Sequence, residues 1–252
     1  MRIRFSFLPG DKKCLLPLNY SYYLASMIYR SIERADSDLS FVLHRPNVIK
    51  FFTFSKLMTK HRKILGDQLL VDSDGCYFEF STPRKDLAVA LVNGLLEKPY
   101  VEIAGESFVL SEIHVLPEKE ISGCEVFTTL SPISVTTVEE NNGHRRIVDL
   151  YPDTPKFYEN LRKNLIKKYV TFYGREPEDK DVEIKVKKAK PKRIKIKNTY
   201  HRCSEMVFEA RGSRELLKIG YQAGFGERNS MGFGMVKVAN GRSRKAGEDN
   251  VY

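Results

Sequence analysis

The stretch Gly224-Phe225-Gly226-Glu227-Arg228-Asn229-Ser230-Met231-Gly232-Phe233-Gly234 sets two Gly-Phe-Gly triplets around five residues. A helical pattern precedes it, and a strand pattern, Met235-Val236-Lys237-Val238, follows. Glycine tolerates positive φ and lets another backbone come close. Gly224, Gly226, Gly232 and Gly234 around a basic, polar loop therefore suggest backbone N–H groups turned toward an anion. A helix C-cap followed by an ordinary turn into a strand is the plainer reading of the same glycines. A Walker loop is excluded, because no Lys-Ser or Lys-Thr follows them. A dinucleotide fingerprint needs glycines that open a helix, and these close one.

Working outward, 252 residues with 42% hydrophobic content and 15 phenylalanines describe a folded chain of one large or two smaller domains. No apolar run approaches the ~20 residues of a membrane span, and the N-terminus lacks the apolar centre of a signal peptide. A cytoplasmic protein is expected. Cys14, Cys76, Cys124 and Cys203 stand far apart without a Cys-x-x-Cys pair, which fits neither a zinc site nor a disulfide framework. A formal charge of +10 points toward a polyanionic partner.

The pattern of elements repeats. Met1 to Leu8 alternates as a strand and stops at Pro9-Gly10. Asn19 is the N-cap expected for a helix from Tyr20 to Arg34, and a short second helix covers Asp38 to Leu43. It ends at His44, ahead of Pro46. Lys50 to Ser55 and Cys76 to Phe80 read as strands. Thr82-Pro83 opens a helix through Leu96, and Val101 to Leu116 reads as a hairpin turning at Ala104-Gly105.

The second half has Val126 to Val138 as a strand interrupted by Pro132, then a polar loop, Glu139 to Arg146. A helix opens at Thr154-Pro155 with Phe157, Leu161, Leu165 and Tyr169 in register. Val182 to Ala210 holds two or three strands. Ser213 caps a helix to Tyr221 that leads into the glycine loop. Each half has the order β-α-β-β-α-β, a ferredoxin-like arrangement. The expected fold is α+β: tandem ferredoxin-like domains over 1–120 and 121–240, then a frayed polar tail over 241–252.

Lys185, Lys187, Lys188, Lys190, Lys192, Arg193, Lys195 and Lys197 fall within thirteen residues. Such a run is either a solvated hairpin face or an RNA backbone site, which would position a strand without reading sequence. Among the histidines, His61 sits in a basic loop, His114 on a strand, His144 in the polar loop and His201 between strands. His44 differs because it ends a helix just before a chain reversal, where the dipole favours the protonated ring. A structural role is the plain reading there. Glu33, Asp36 and Asp38 form the only carboxylate cluster near that point and read as a helix-end surface; no metal and no cofactor are expected.

Gly-hydrophobic-Gly, five residues, then Gly-hydrophobic-Gly near the C-terminus resembles the glycine-rich motif of the CRISPR-associated endoribonucleases that process precursor crRNA, the Cas-six family of the repeat-associated RNA-binding superfamily. The resemblance runs from Met1 to about Ala239. It implies two side-by-side βαββαβ domains, and a metal-independent ribonuclease site in the first of them. In the family that site is a tyrosine on a helix, a histidine after it and a lysine shortly beyond. Tyr29, His44 and Lys50 match in order and approximate spacing.

Metal-free cleavage uses the substrate's 2′-hydroxyl as nucleophile and gives a 2′,3′-cyclic phosphate and a 5′-hydroxyl. It needs a proton acceptor, a donor to the leaving oxygen and positive charge on the phosphate. Histidine, at ~6.5, can donate near neutrality. Tyrosine, at ~10, serves as base only if a cation such as Lys50 depresses it; otherwise Tyr29 orients the 2′-hydroxyl.

The resemblance further implies RNA contact through Lys187, Lys188, Lys190, Lys192, Arg193, Lys195, Gly224, Gly226, Arg228, Gly232 and Gly234. Alanine at Gly226 or Gly232 is then expected to harm RNA binding more than folding. The implied partner is single-stranded CRISPR repeat RNA, with a CRISPR interference complex or a second copy of the chain as further candidates. The alternatives are a non-catalytic repeat-RNA-binding subunit of a CRISPR complex and a generic two-domain RNA-binding protein.

Overall fold

The structure is a computed structural model that describes residues 1–141 and 143–239; the expected polar tail lies outside the described residues. The first half runs β1 (Arg2–Pro9), β2 (Cys14–Pro17), α1 (Ser21–Ala35), α2 (Ser37–His44), β3 (Thr53–Phe54), β4 (Met58–Thr59), β5 (Lys63–Leu65), β6 (Gln68–Val71), β7 (Cys76–Ser81), α3 (Lys85–Glu97), β8 (Tyr100–Ile103) and β9 (Glu106–Leu116). The second runs β10 (Cys124–Thr129), β11 (Thr136–Asn141), β12 (His144–Asp149), α4 (Pro155–Tyr173), β13 (Val182–Ile196), β14 (Thr199–Gly212), α5 (Arg214–Ala223), a 3₁₀ turn at Asn229–Met231, and β15 (Val236–Val238).

The main sheet of the first half is ordered β3-β7-β1-β9-β8, with β4 also on β7, and that of the second β13-β14-β10-β15. Both place the first strand of the half between its third and fourth, the ferredoxin-like order. Alternation puts Ile3, Phe5 and Phe7 on one face of β1, opposite Phe80, Phe78 and Cys76 of β7. All six are buried, and burying each phenylalanine contributes about 1.5–3 kcal/mol. Helices α1 and α3 cover this face, and they cross closely: a Cβ on Gly94 would overlap the Ser31 carbonyl. A second cluster joins Phe127, Phe208 and Phe225 to Phe157, Leu161 and Leu165 of α4.

Several expectations need correction. Tyr20, not Asn19, is the N-cap of α1; the Asn19 Oδ1 instead accepts from Lys195 N at 3.0 Å. Thr82-Pro83 lies two residues early, since Arg84 is the N-cap of α3. The Thr82 hydroxyl donates to Phe51 O at 2.6 Å and accepts from Arg84 N. Lys50 to Ser55 is strand only at Thr53–Phe54, because Phe51 turns the chain in the left-handed region at φ 53°.

The expected polar loop is a two-stranded ribbon, β11 on β12, with Glu139 opposite Arg146 and Glu140 opposite Arg145. A ribbon solvated on both faces has no apolar alternation to betray it. Val182 to Ala210 contains two strands of one long hairpin, and the small sheet β2-β6-β5 has no counterpart in the sequence reading.

The halves are cross-tied. The buried Arg2 guanidinium donates to Val236 O at 2.8 Å and Tyr221 O at 3.2 Å, and it lies 4.2 Å from the Tyr221 ring centroid. Thr53 Oγ1 donates to Phe233 O at 2.8 Å, and Ser81 Oγ to Gln222 O at 2.9 Å. Polar bonds of this kind, buried on both sides, fix the halves in one arrangement.

Candidate active site

Between the halves lies a cleft of about 620 Å³. The first half supplies one wall through Tyr29, Glu33, His44 and Lys50; the second supplies Ile196, Lys197, His201, Arg228 and Met231. Tyr29, His44, Lys50 and Arg228, named from the sequence, are thus brought together.

Tyr29 sits on the half-buried side of α1. Its ring meets His44 at 5.2 Å between centroids and Phe52 edge-on at 5.6 Å. His44 ends α2, which the Asp36 side chain caps by accepting from Leu39 N. The His44 Nδ1 is 2.8 Å from Ser40 O. A carbonyl can only accept, so Nδ1 carries a proton and Nε2 is the nitrogen left for a substrate. Lys50 Nζ donates to Arg45 O at 2.9 Å.

Burial raises the Tyr29 phenol above its ordinary value, with the Ser230 side chain pulling the other way. Lys50 is lowered by burial and is not among the groups acting on Tyr29. The net push on the Tyr29 phenol is upward, which suits a group that keeps its proton and orients the 2′-hydroxyl.

His201 projects from β14 opposite Ile194. Burial lowers its pKa first and the Arg228 charge second, while Asp149 opposes them. The Arg228 Nη1 donates to Ser134 Oγ at 2.9 Å and lies 3.6 Å from Glu227 Oε2.

The other sequence candidates divide. Lys190, Lys192 and Arg193 line a separate cleft of about 560 Å³ with Lys56 and Arg62. Arg193 and Lys195 lie over the half-exposed Tyr200 ring, at 4.6 and 5.7 Å from its centroid. Lys187 stands apart, paired with Glu209 at 2.9 Å, and Lys188 is exposed at a bulge in β13.

Gly224, Gly226, Gly232 and Gly234 are buried or nearly so, at φ 93°, 71°, 83° and 79°. A Cβ on Gly232 would stand 2.7 Å from the Phe54 ring, and one on Gly226 would overlap the Ser134 carbonyl. Phe225 N, Glu227 N, Gly232 N and Gly234 N already bond within the protein. These glycines thus fold the loop against its own protein, and of the four only Gly226 borders a cleft. The residues that reach a cleft are Gly226 to Ser230, bordering a smaller one of about 250 Å³, and Arg228 and Met231 in the larger.

Lys168 is a residue that sequence reasoning misses. It is buried, and its Nζ donates to Gly224 O and Gly226 O, each at 2.6 Å. The signal is present, since Lys168 falls on the same helical stripe as Leu161 and Leu165. His114 is exposed beside Glu112 at 3.1 Å, and neither it, His61 nor His144 lines the large cleft. Among the described residues, no three His, Cys, Asp or Glu side chains stand together as a metal-binding group.

Two family models match: "CRISPR-associated protein Cas6, N-terminal" over residues 15–114 and "CRISPR associated protein Cas6, C-terminal" over 116–238. The chain is 40% identical over 247 residues to "CRISPR-associated endoribonuclease Cas6 1" of Methanocaldococcus jannaschii, covering 97% of this chain and 95% of the relative. It is 39% identical over 253 residues to "CRISPR-associated endoribonuclease Cas6" of Pyrococcus furiosus, covering 99% and 94%. A solved structure described as "An RAMP protein binding different RNA substrates" superposes with a TM-score of 0.88 at 36% identity, covering 95% of this chain and 100% of that one. This chain belongs to the Cas6 family of CRISPR-associated proteins.

Proposed function

We propose that the protein is an endoribonuclease that binds CRISPR repeat RNA and cleaves precursor crRNA into units, with the large cleft as its active site. The observation that carries this reading is the meeting of Tyr29, His44, Lys50 and Arg228 in one cleft between the halves. Relatives named as endoribonucleases at 39–40% identity over nearly the whole chain support the activity.

The substrate's 2′-oxygen attacks phosphorus, the bond to the 5′-oxygen breaks, and a cyclic phosphate and a 5′-hydroxyl result. His44 donates the proton to the leaving oxygen from Nε2, its Nδ1 being held on Ser40 O. Lys50 and Arg228 place positive charge on the crowded phosphate. Tyr29, kept protonated by burial, holds the 2′-hydroxyl by a hydrogen bond.

Residues 1–120 carry this chemistry, and residues 121–240 carry the basic hairpin and the loop that delivers Arg228. Lys190, Lys192, Arg193 and Lys195 bind phosphates of a single strand along the hairpin. The reaction takes place in the cytoplasm, and among the described residues no helix is long and apolar enough to cross a membrane. An interference complex and a second copy of the chain remain candidate partners, tested by co-purification and by solution mass.

Incubation of the protein with a repeat RNA in EDTA tests the reading, with the product ends analysed. Products ending in 2′,3′-cyclic phosphate and 5′-hydroxyl are expected. Intact RNA bound by the protein would instead favour the non-catalytic subunit.

A further inference from the structure

With Nδ1 held on Ser40 O, His44 meets a substrate at the very end of α2. The oxygen it protonates belongs to the first nucleotide on the 3′ side of the cut. That nucleotide therefore lies beside the end of this helix, and some surface there must receive its base.

Phe41 precedes His44 by three residues, a spacing that puts neighbours on one side of a helix. Its ring is 67% exposed and adds little to the core. It does not line the large cleft, whereas His44 and Leu43 do, so it stands just outside the mouth. One face of the ring is taken, because Arg45 Cζ lies 5.3 Å from its centroid. Arg45 is itself exposed, and its carbonyl holds the Lys50 amine at 2.9 Å. An aromatic ring, a guanidinium and the phosphate-binding lysine thus form one continuous surface leading out of the cleft.

We propose that Phe41 and Arg45 form a stacking platform for the unpaired nucleotide immediately 3′ of the cut. The base lies against Phe41, and the Arg45 charge faces the phosphate that follows. This rests on the ribonuclease reading of the cleft. Proteins that hold single-stranded RNA combine aromatic rings under the bases with cations along the backbone. Every base has a π-face, so the platform positions the leaving nucleotide against His44 without selecting its sequence. Phe41 and Arg45 are positioning residues: neither touches the atoms that react.

The test measures affinity for repeat RNAs made uncleavable by a 2′-deoxy nucleotide at the cut site mapped with the wild type. One RNA stops at the nucleotide before the cut, and a second extends two nucleotides beyond it. A third matches the second but has an abasic sugar at the first position beyond the cut. The wild type should prefer the extended RNA to the abasic one by about 5- to 150-fold, the range that stacking one base on an aromatic side chain gives. Phe41→Ala should lose that preference, and Phe41→Tyr, which keeps a ring, should retain it. Arg45→Ala should weaken the extended RNA more than the short one and lower the salt slope for the extended RNA alone. The short RNA also reports that each variant is folded.

An equal loss by Phe41→Ala on the short and extended RNAs would overturn the platform, as would a wild type indifferent to the abasic sugar. Either result with a wild type that cuts the all-ribose RNA leaves the ribonuclease reading standing. A wild type that leaves the all-ribose RNA intact would overturn that reading and the platform together.

Discussion

The His44 ring lies against the Tyr29 ring, centroids 5.2 Å apart and planes tilted by 54°. The contact links the end of α2 to the middle of α1, and the Nδ1 bond to Ser40 O fixes the imidazole from the other side. Only Nε2 is free to meet a substrate. A histidine read from sequence as the end of a helix has thus become an oriented proton donor.

Replacing His44 by alanine should slow cleavage by about 10²- to 10⁴-fold. Affinity for uncleaved repeat RNA should barely change, because the donor acts in the transition state. Single-turnover rates and filter binding on the same preparation check both, and EDTA should leave the wild-type rate unaltered. Equal rates in variant and wild type would move the acid to another residue.

Tyr29→Phe removes the hydroxyl but keeps the ring that packs on Phe52 and His44. A loss of about tenfold is expected, the scale of one hydrogen bond. A loss beyond about 10³-fold, the scale of general acid–base catalysis, would show instead that the phenol takes part in proton transfer.

On the basic hairpin, alanine at Lys188, Lys190, Lys192 and Arg193 should weaken binding to all RNA sequences alike. The salt slope should fall by about 0.7 for each phosphate that the variant no longer neutralises. Lys187→Ala should change it less, since Glu209 already holds that amine at 2.9 Å. Affinity measured from low to high salt decides, and an unchanged slope in the quadruple variant removes the hairpin from the RNA path.

For Gly232 the structure reverses what the sequence suggests. Its φ of 83° and the Phe54 ring 2.7 Å from an added Cβ leave no room for a side chain. Gly232→Ala should cost about 1–3 kcal/mol through backbone strain, with overpacking added. Thermal melting should show that loss at least as clearly as RNA binding does; a variant that melts like the wild type yet fails to bind RNA would restore the ligand-facing role.

Lys168 gives a pH-dependent prediction. Burial pulls its amine from 10.5 down to about 7, with Glu227 opposing. Between those values the unfolded chain holds a proton that the folded chain has released, so stability rises with pH across that window. The full shift corresponds to at most roughly 5 kcal/mol. Melting temperatures of the wild type should climb relative to Lys168→Met from about pH 7 toward pH 10, the span of that shift. Parallel curves would show that the amine does not titrate there.

What is legible in the sequence follows from periodicity. Ile3, Phe5 and Phe7 alternate, and Phe157, Leu161 and Leu165 recur at helical spacing, so β1 and α4 can be read directly. The strands β11 and β12 cannot, because Val138 and Ile147 face solvent and the ribbon buries neither side. Likewise Lys50 is legible as a charge near His44 but not as a residue beyond a strand; the left-handed turn at Phe51 leaves no mark in residue type. His201 escapes a linear reading because its neighbours in space, Arg228 and Phe233, are far from it in the chain. The glycines announce the loop correctly, whereas the packing of Gly232 against Phe54 depends on the opposite half.

The Arg2 guanidinium, buried and bonded to Val236 O and Tyr221 O, has a consequence for how the two halves assemble. Arg2 and Val236 stand 234 residues apart in the chain. Until β15 is paired, the guanidinium lacks a partner whose loss, once buried, costs several kilocalories. The two walls of the cleft cannot lock together before that strand is paired. Two backbone carbonyls of the second half thus make the closing of the cleft one event with the pairing of β15.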